Sequence, residues 1–158
     1  MEFFTIGVYN SNEIAFFKKL TENLIDTFCD IRQRRGVRGP EYVFVNSNRL
    51  QLKLNNLEIR YSYISELAPT TEIRELQKSA DSQAGENKRD RSKLGRIFAI
   101  VYKEKILKKF DFKGFIEKLE QIGANKIVFF CVEDKHEACH RSLVTNRLEQ
   151  LGYKITHL

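Results

Sequence analysis

Residues 126–132 read Lys-Ile-Val-Phe-Phe-Cys-Val. The run is β-branched and aromatic with no polar alternation, the pattern of a strand covered on both faces. Such a strand belongs inside a parallel sheet, and parallel strands need a crossover, usually a helix, between them. The rest of the chain supplies both. Residues 3–9 (FFTIGVY), residues 25–31 (IDTFCDI), the alternation of Ile59, Tyr61 and Tyr63, and residues 153–158 read as further strands. Between them, Asn10-Ser11-Asn12-Glu13 resembles a capping box ahead of Ile14, Phe17 and Leu20 at helical spacing. Leu50, Leu54 and Leu57 mark a second helix, and residues 70–84 a polar third. Residues 94–110 mix apolar and basic side chains and read as helical. Asp111 caps a clear amphipathic helix on Phe112, Phe115, Ile116 and Leu119, with Gly123 just past its end. A last helix, residues 140–151, is closed by Gly152.

The expected architecture is therefore α/β: a single three-layer domain over residues 1–158, with a mostly parallel sheet of about five strands and helices on both faces. The one long loop expected is a flexible basic stretch around residues 79–92. With 158 residues, 42% hydrophobic and 30% charged, the chain has the length and composition of a globular domain rather than a disordered one. No apolar run approaches the roughly 18–20 residues of a membrane span, and the start lacks the basic leader of a signal peptide. Three cysteines, an odd number, argue against a disulfide scaffold and for the reducing cytoplasm.

The formal charge of +6 is uneven. Arg32, Arg34, Arg35 and Arg38 stand together without an acid, and Lys88, Arg89, Arg91, Lys93 and Arg96 face only Glu86 and Asp90. These two stretches carry the whole excess, so the basic character is local. They read either as a patch that meets an anion, such as a nucleotide or nucleic acid, or as solvated loops.

Parallel strands place all their carboxyl ends on one edge, where ligands of open α/β sheets bind. Asn10 and Ser11, Asp30 and Arg32, Glu66, Glu133, and His157 all fall at or just past such ends. The segment richest in chemistry is CVEDKHEACHRS, residues 131–142, which follows the buried strand and opens a helix. Near a helix start, unpaired N–H groups and the dipole favour an anion; Arg141 can add a bidentate clamp and Ser142 a hydroxyl. The same field lowers a thiol pKa, which makes Cys139 a candidate nucleophile with His140 as proton carrier. Each residue has a structural alternative. Cys139 is also a small packing residue, His140 a partner for a strand end, and Arg141 a partner for Glu133 or Asp30. A metal set of Cys131, Cys139, His140 and His157 matches no common zinc spacing, and successive helical residues diverge by roughly 100°. No metal ligand is assigned, and no cofactor is required. Cys29, between Phe28 and Ile31, reads as core.

Thr5-Ile6-Gly7, Asp30-Ile31-Arg32, the segment CVEDKHEACHRS, and the terminal Thr156-His157-Leu158 together resemble the domain of unknown function 488 family, the YeaO-like proteins. The resemblance runs from about Phe4 to Leu158. It implies a compact α/β fold and a shared cluster matching Asp30, Arg32, Cys131, Glu133, Cys139, His140, Arg141 and His157, with no reaction established for the family at large. The chain departs from the family pattern at Leu67-Ala68-Pro69, where a leucine-glycine turn is usual, and at Val8, where a polar residue often follows the glycine.

The leading expectation is an enzyme acting on a phosphate-bearing substrate, a nucleotide or nucleic acid. Arg32, Arg141, Ser142, Asn10, Ser11 and His157 would hold it, with Asp30 or Glu133 as acid/base and Cys139 with His140 as reactive groups. The rivals are a non-catalytic nucleic-acid-binding module using Arg34, Arg35, Arg38, Lys88, Arg89, Arg91 and Lys93, and a structural or partner-docking protein. Oligomeric state is not legible.

Overall fold

Side chains alternate across each strand, so a strand apolar at successive positions must be covered twice. In the computed structural model, which describes residues 1–37, 39–85, 87 and 91–158, this is what happens to 126–132. The sheet has five strands, all parallel: β1 (Glu2–Ile6), β2 (Thr27–Asp30), β3 (Arg60–Tyr63), β4 (Lys126–Phe130) and β5 (Ile155–His157). Their order is β3-β2-β4-β1-β5, which puts β4 in the middle. Val128 and Phe130 face one core with Phe4, Ile6 and Phe28. Ile127 and Phe129 face the other with Phe3 and Cys29.

Helices α1 (Glu13–Glu22) and α2 (Ser47–Asn56) cover the first face through Phe16, Phe17, Leu20, Leu50 and Leu54. Helices α3 (Thr71–Ala84), α4 (Arg96–Tyr102), α5 (Phe112–Gln121) and α6 (Arg141–Gln150) cover the second. Connections toward the β3 edge thus cross one face and connections returning cross the opposite one, as crossovers of a single hand require. Asn12 caps α1 by accepting from the Ala15 N–H, and Asp111 caps α5 by accepting from the Gly114 N–H.

This order fixes where a ligand crevice lies. From β2 the chain moves outward to β3, and from its neighbour β4 it moves the other way to β5. Adjacent strands whose onward connections diverge open a crevice at their carboxyl ends. Here those ends carry Asp30-Ile31-Arg32 and Cys131-Val132-Glu133.

Several expectations are corrected. Residues 79–84 belong to α3 rather than to a loop: Thr70 caps that helix, Ile73 and Gln77 bury along it, and Gly85 ends it in the left-handed conformation at φ 66°. The stretch 94–110, read as helical, is so only in its middle: α4 covers Arg96–Tyr102 and runs on into a π-helical turn over Lys103–Leu107. The first strand stops at Ile6, because the N–H groups of Val8 and Tyr9 both turn to the Val132 carbonyl. A 3-10 segment, Pro40–Val45, has no counterpart in the periodicity, yet it buries Tyr42, Phe44 and Val45 in the first core. Among the described residues no helix is long and apolar enough to cross a membrane.

Candidate functional site at the β2/β4 crevice

Asp30, the last residue of β2, is fully buried and accepts four hydrogen bonds. Arg32 supplies three: its backbone N–H at 3.1 Å, Nε at 2.9 Å and Nη2 at 2.7 Å. The Tyr61 hydroxyl supplies the fourth at 2.9 Å. The Arg32 guanidinium also lies 4.5 Å above the Phe130 ring. A charge removed from water survives only when paired and hydrogen-bonded, and this bidentate fork meets both conditions. One atom stays outside the arrangement: Arg32 Nη1 is buried with no protein acceptor.

Across the crevice, residues 131–142 fold in three steps. Beyond β4 comes a 3-10 turn, His136–Ala138; Cys139 is extended (φ −132°, ψ 145°); His140 then enters the right-handed region and α6 begins at Arg141. Cys139 and His140 are therefore not successive helical residues, and the roughly 100° divergence of helical neighbours does not apply. Cys139 Sγ lies 3.8 Å from His140 Nδ1, and Cys131 Sγ lies 3.9 Å from the same nitrogen. On the far side of the ring, Nε2 lies 3.0 Å from the Ile31 carbonyl oxygen. A carbonyl only accepts, so Nε2 carries a proton and, in the neutral ring, Nδ1 presents its lone pair to both sulfurs. Burial works against the imidazolium, but Cys131 and Glu133 outweigh it and raise the His140 pKa above its ordinary value.

Cys131 donates to Glu133 Oε2 at 3.1 Å. The hydrogen bond with Cys139 and burial, joined by the charge of Glu133, push the Cys131 thiol well above its ordinary range, so it is protonated and suited to donate. Glu133 Oε1 accepts from Arg91 Nη2 at 3.1 Å. Arg91 is itself only 6% exposed. Its Nη1 reaches Asp81 at 2.8 Å, and Nε and Nη2 both reach the Ala138 carbonyl, at 3.1 and 2.9 Å. Arg91 thus ties α3, the 3-10 turn and the β4 rim together. The sequence reading, which set it among phosphate-contacting loop residues, is corrected: this arginine is saturated by protein acceptors. Nothing in the local pattern marks it, since residues 86–96 have no apolar periodicity.

Arg141 is also corrected. Rather than clamping an anion, its guanidinium, 1% exposed, spends Nη1 on the Glu133 carbonyl and Nη2 on the Asp134 carbonyl, at 2.5 and 2.6 Å. Its Nε is buried without a protein acceptor. The close approach depends on Gly7: a Cβ there would collide with the Glu133 carbonyl oxygen and stand 2.9 Å from its carbon and 3.2 Å from Arg141 Nη2. Ser142 donates to the Cys139 carbonyl and so braces the start of α6.

The remaining sequence candidates lie around this centre rather than in it. Asn10 is exposed and donates to Asp134 Oδ2 at 3.2 Å, and the Ser11 hydroxyl turns to the Asn12 carbonyl. His157 sits beyond β1, where Nδ1 meets Thr5 Oγ1 at 2.8 Å and the ring stacks on His136 at 3.5 Å. The structure does not join it to Cys131, Cys139 and His140. Glu66 is exposed. Arg34 and Lys93 are exposed, whereas Arg35 lies 4.3 Å over the Tyr63 ring and against the Tyr61 hydroxyl. Arg38, Lys88 and Arg89 fall outside the described residues. The sequence reading missed Tyr61 as partner of Asp30, and Tyr102, whose ring lies 5.4 Å from that of His140 while its hydroxyl donates to the Leu67 carbonyl.

No curated protein and no solved structure matches the chain. A family model does: the one described as "Domain of unknown function DUF488" matches residues 14–148, from the first turn of α1 to the last turns of α6. That span covers most of the chain and holds Asp30, Arg32, Cys131, Glu133, Cys139, His140 and Arg141, so the chain belongs to this family.

Proposed function

We propose that the protein is an enzyme acting on an anionic, phosphate-bearing substrate of the nucleotide class at the β2/β4 crevice. The observation that carries this reading is that residues 131–142 fold back on themselves to gather two thiols, an imidazole and a carboxylate against the Ile31 carbonyl of the β2 end, at the point where the sheet topology opens. Cys139 with His140 would be the reacting pair and Glu133 the acid/base group. The anion would lie at the β2 side, where Arg34 and Arg35 follow a buried Arg32 that keeps an unpartnered Nη1. Arg35 suits that task because its guanidinium is always charged and is held at the rim by the Tyr63 ring and the Tyr61 hydroxyl. All three cysteines are free thiols, which suits a reducing compartment such as the cytoplasm.

The test is thermal unfolding with nucleoside mono-, di- and triphosphates, pyrophosphate and inorganic phosphate. A ligand at about 100 times its Kd adds about 2.7 kcal/mol, or roughly 5–11 °C for a chain of this size. The expected result is a shift with at least one nucleotide that is lost in R34E/R35E. No shift at millimolar concentrations of any of them overturns the reading.

A further inference from the structure

We propose that Cys131 Sγ, Cys139 Sγ and His140 Nδ1 form a binding site for a thiophilic divalent cation, with zinc the best fit. With an ion bound, Cys139 and His140 hold it instead of reacting as a pair themselves, so any catalytic use of the ion rests on the proposed enzyme reading. The binding itself does not.

Three independent features point to a metal. The first is spacing. All three donor atoms lie within 4.8 Å of one another, and both sulfur-to-nitrogen distances are 3.8–3.9 Å. A tetrahedral zinc ion with Zn–S of about 2.3 Å and Zn–N of about 2.0–2.1 Å needs roughly 3.6 Å between sulfur and nitrogen and roughly 3.8 Å between sulfurs. Closing onto the ion therefore asks the sulfur–nitrogen pairs for a few tenths of an ångström and the two sulfurs for no more than about 1 Å. The second is what holds the far nitrogen of the histidine ring. A ligating histidine donates its other ring N–H to a carbonyl or carboxylate, which fixes the tautomer and aims the lone pair. Here Nε2–H on the Ile31 carbonyl does this for Nδ1, and that carbonyl comes from β2, across the crevice. The third is charge. Two thiolates and a neutral imidazole make a divalent ion electrically neutral, so the set can sit buried without the cost of an isolated charge. Iron–sulfur clusters and disulfide chemistry fit less well: the first prefers four cysteines, and the second leaves the imidazole lone pair unused.

Three protein donors leave a fourth position, the arrangement of catalytic rather than structural zinc sites. Glu133 Oε2 lies 3.1 Å from Cys131 Sγ, at the edge of the site, and Arg91 holds its other oxygen. Glu133 stands outside the three-donor set and would serve as a proton acceptor beside the open position, with Arg91 as its positioning residue.

The experiment uses the full chain, reduced and treated with a chelator, then titrated with cobalt(II) and zinc(II). The expected result is one equivalent of cobalt per chain with thiolate-to-cobalt charge-transfer absorption and intense tetrahedral bands, displaced by zinc. Cys131→Ser and Cys139→Ser should each weaken binding at least 100-fold. Cys29→Ser, which alters the third buried thiol on the opposite face of the sheet, should leave it unchanged. Should a serine variant fail to fold, the wild-type spectrum still decides. Absence of charge-transfer absorption with stoichiometric cobalt, or binding that survives in both Cys131→Ser and Cys139→Ser, overturns the site. Nucleotide-induced shifts are read separately: a metal without them leaves the site standing and removes the proposed substrate class, and the reverse removes only the metal.

Discussion

Replacing Arg91 with methionine keeps most of the side-chain volume and removes four hydrogen bonds at once: one to Asp81, one to Glu133 and two to the Ala138 carbonyl. Side-chain exposure is 5% for Arg91, 14% for Asp81 and 8% for Glu133, so none of the abandoned acceptors recovers a full shell of water. Breaking one partner out of a buried ion pair costs about 3–5 kcal/mol, chiefly because a charge is left uncompensated. At roughly 2–4 °C per kcal/mol for a protein of this length, R91M should lower Tm by about 6–20 °C. Unfolding in urea, followed by far-ultraviolet circular dichroism, measures the free energy directly. The double variant R91M/E133Q should recover at least about 1 kcal/mol of the loss, since the glutamine leaves no buried charge unpaired on that side. An arginine solvated on a loop would instead change stability by less than about 0.5 kcal/mol when replaced. If R91M unfolds within that margin of the wild type, or E133Q adds its full cost on top, the tie described for Arg91 is wrong.

Gly7→Ala should destabilise the fold by about 3 kcal/mol, at the upper end for overpacking. The Cβ meets backbone rather than a side chain that can swing away, and the Val8 and Tyr9 N–H bonds to Val132 hold the two segments together; urea unfolding measures the loss. Asp26→Asn should cost about 2 kcal/mol near neutral pH, because the carboxylate accepts from the backbone N–H groups of Asn125 and Lys126, from Thr27 Oγ1 and from Arg60. Burial raises the Asp26 pKa, but those hydrogen bonds outweigh it and the net shift is downward. A depressed folded pKa stabilises above the unfolded value of about 3.9 and loses that stabilisation as pH falls through the folded value. The gap in stability between wild type and D26N, followed by thermal melts across pH, should hold steady above about pH 5 and narrow below about pH 4; a gap that widens in acid refutes the assignment.

Much of the fold was legible because period-2 and period-3.6 patterns reflect burial directly. Residues 126–132 announce a central strand, and Asp111 and Gly123 bracket α5 as caps should. That residues 30–32 and 131–133 share one edge followed from parallel strands alone, but that they meet there depends on the strand order, which the pattern did not supply. What sits inside that meeting did not follow either. The state of Arg141 turns on backbone carbonyls, which carry no sequence signal. The pairing of Cys139 with His140 depends on one extended residue before a helix, and a boundary of one residue is beyond pattern reading. Arg91 looked like its basic neighbours because composition records charge but not which charge is enclosed. Residues 79–84 were claimed by helix and loop readings at once, and Gly85 decides between them by ending α3.

The order β3-β2-β4-β1-β5 has a consequence for how the molecule comes into being. Of the five strands, β1 and β2 are made before the others yet do not touch; each pairs with the fourth, synthesised about a hundred residues later. Until that segment emerges, β1 and β2 have no sheet to join across their inner edges, and the nascent chain carries exposed strand edges and apolar surface. Native contacts of such long sequence separation slow folding and lengthen exposure to aggregation. The strand that ends at the thiol-bearing crevice is therefore also the one whose arrival closes the sheet, so a chain with an assembled crevice is one whose inner sheet is already joined.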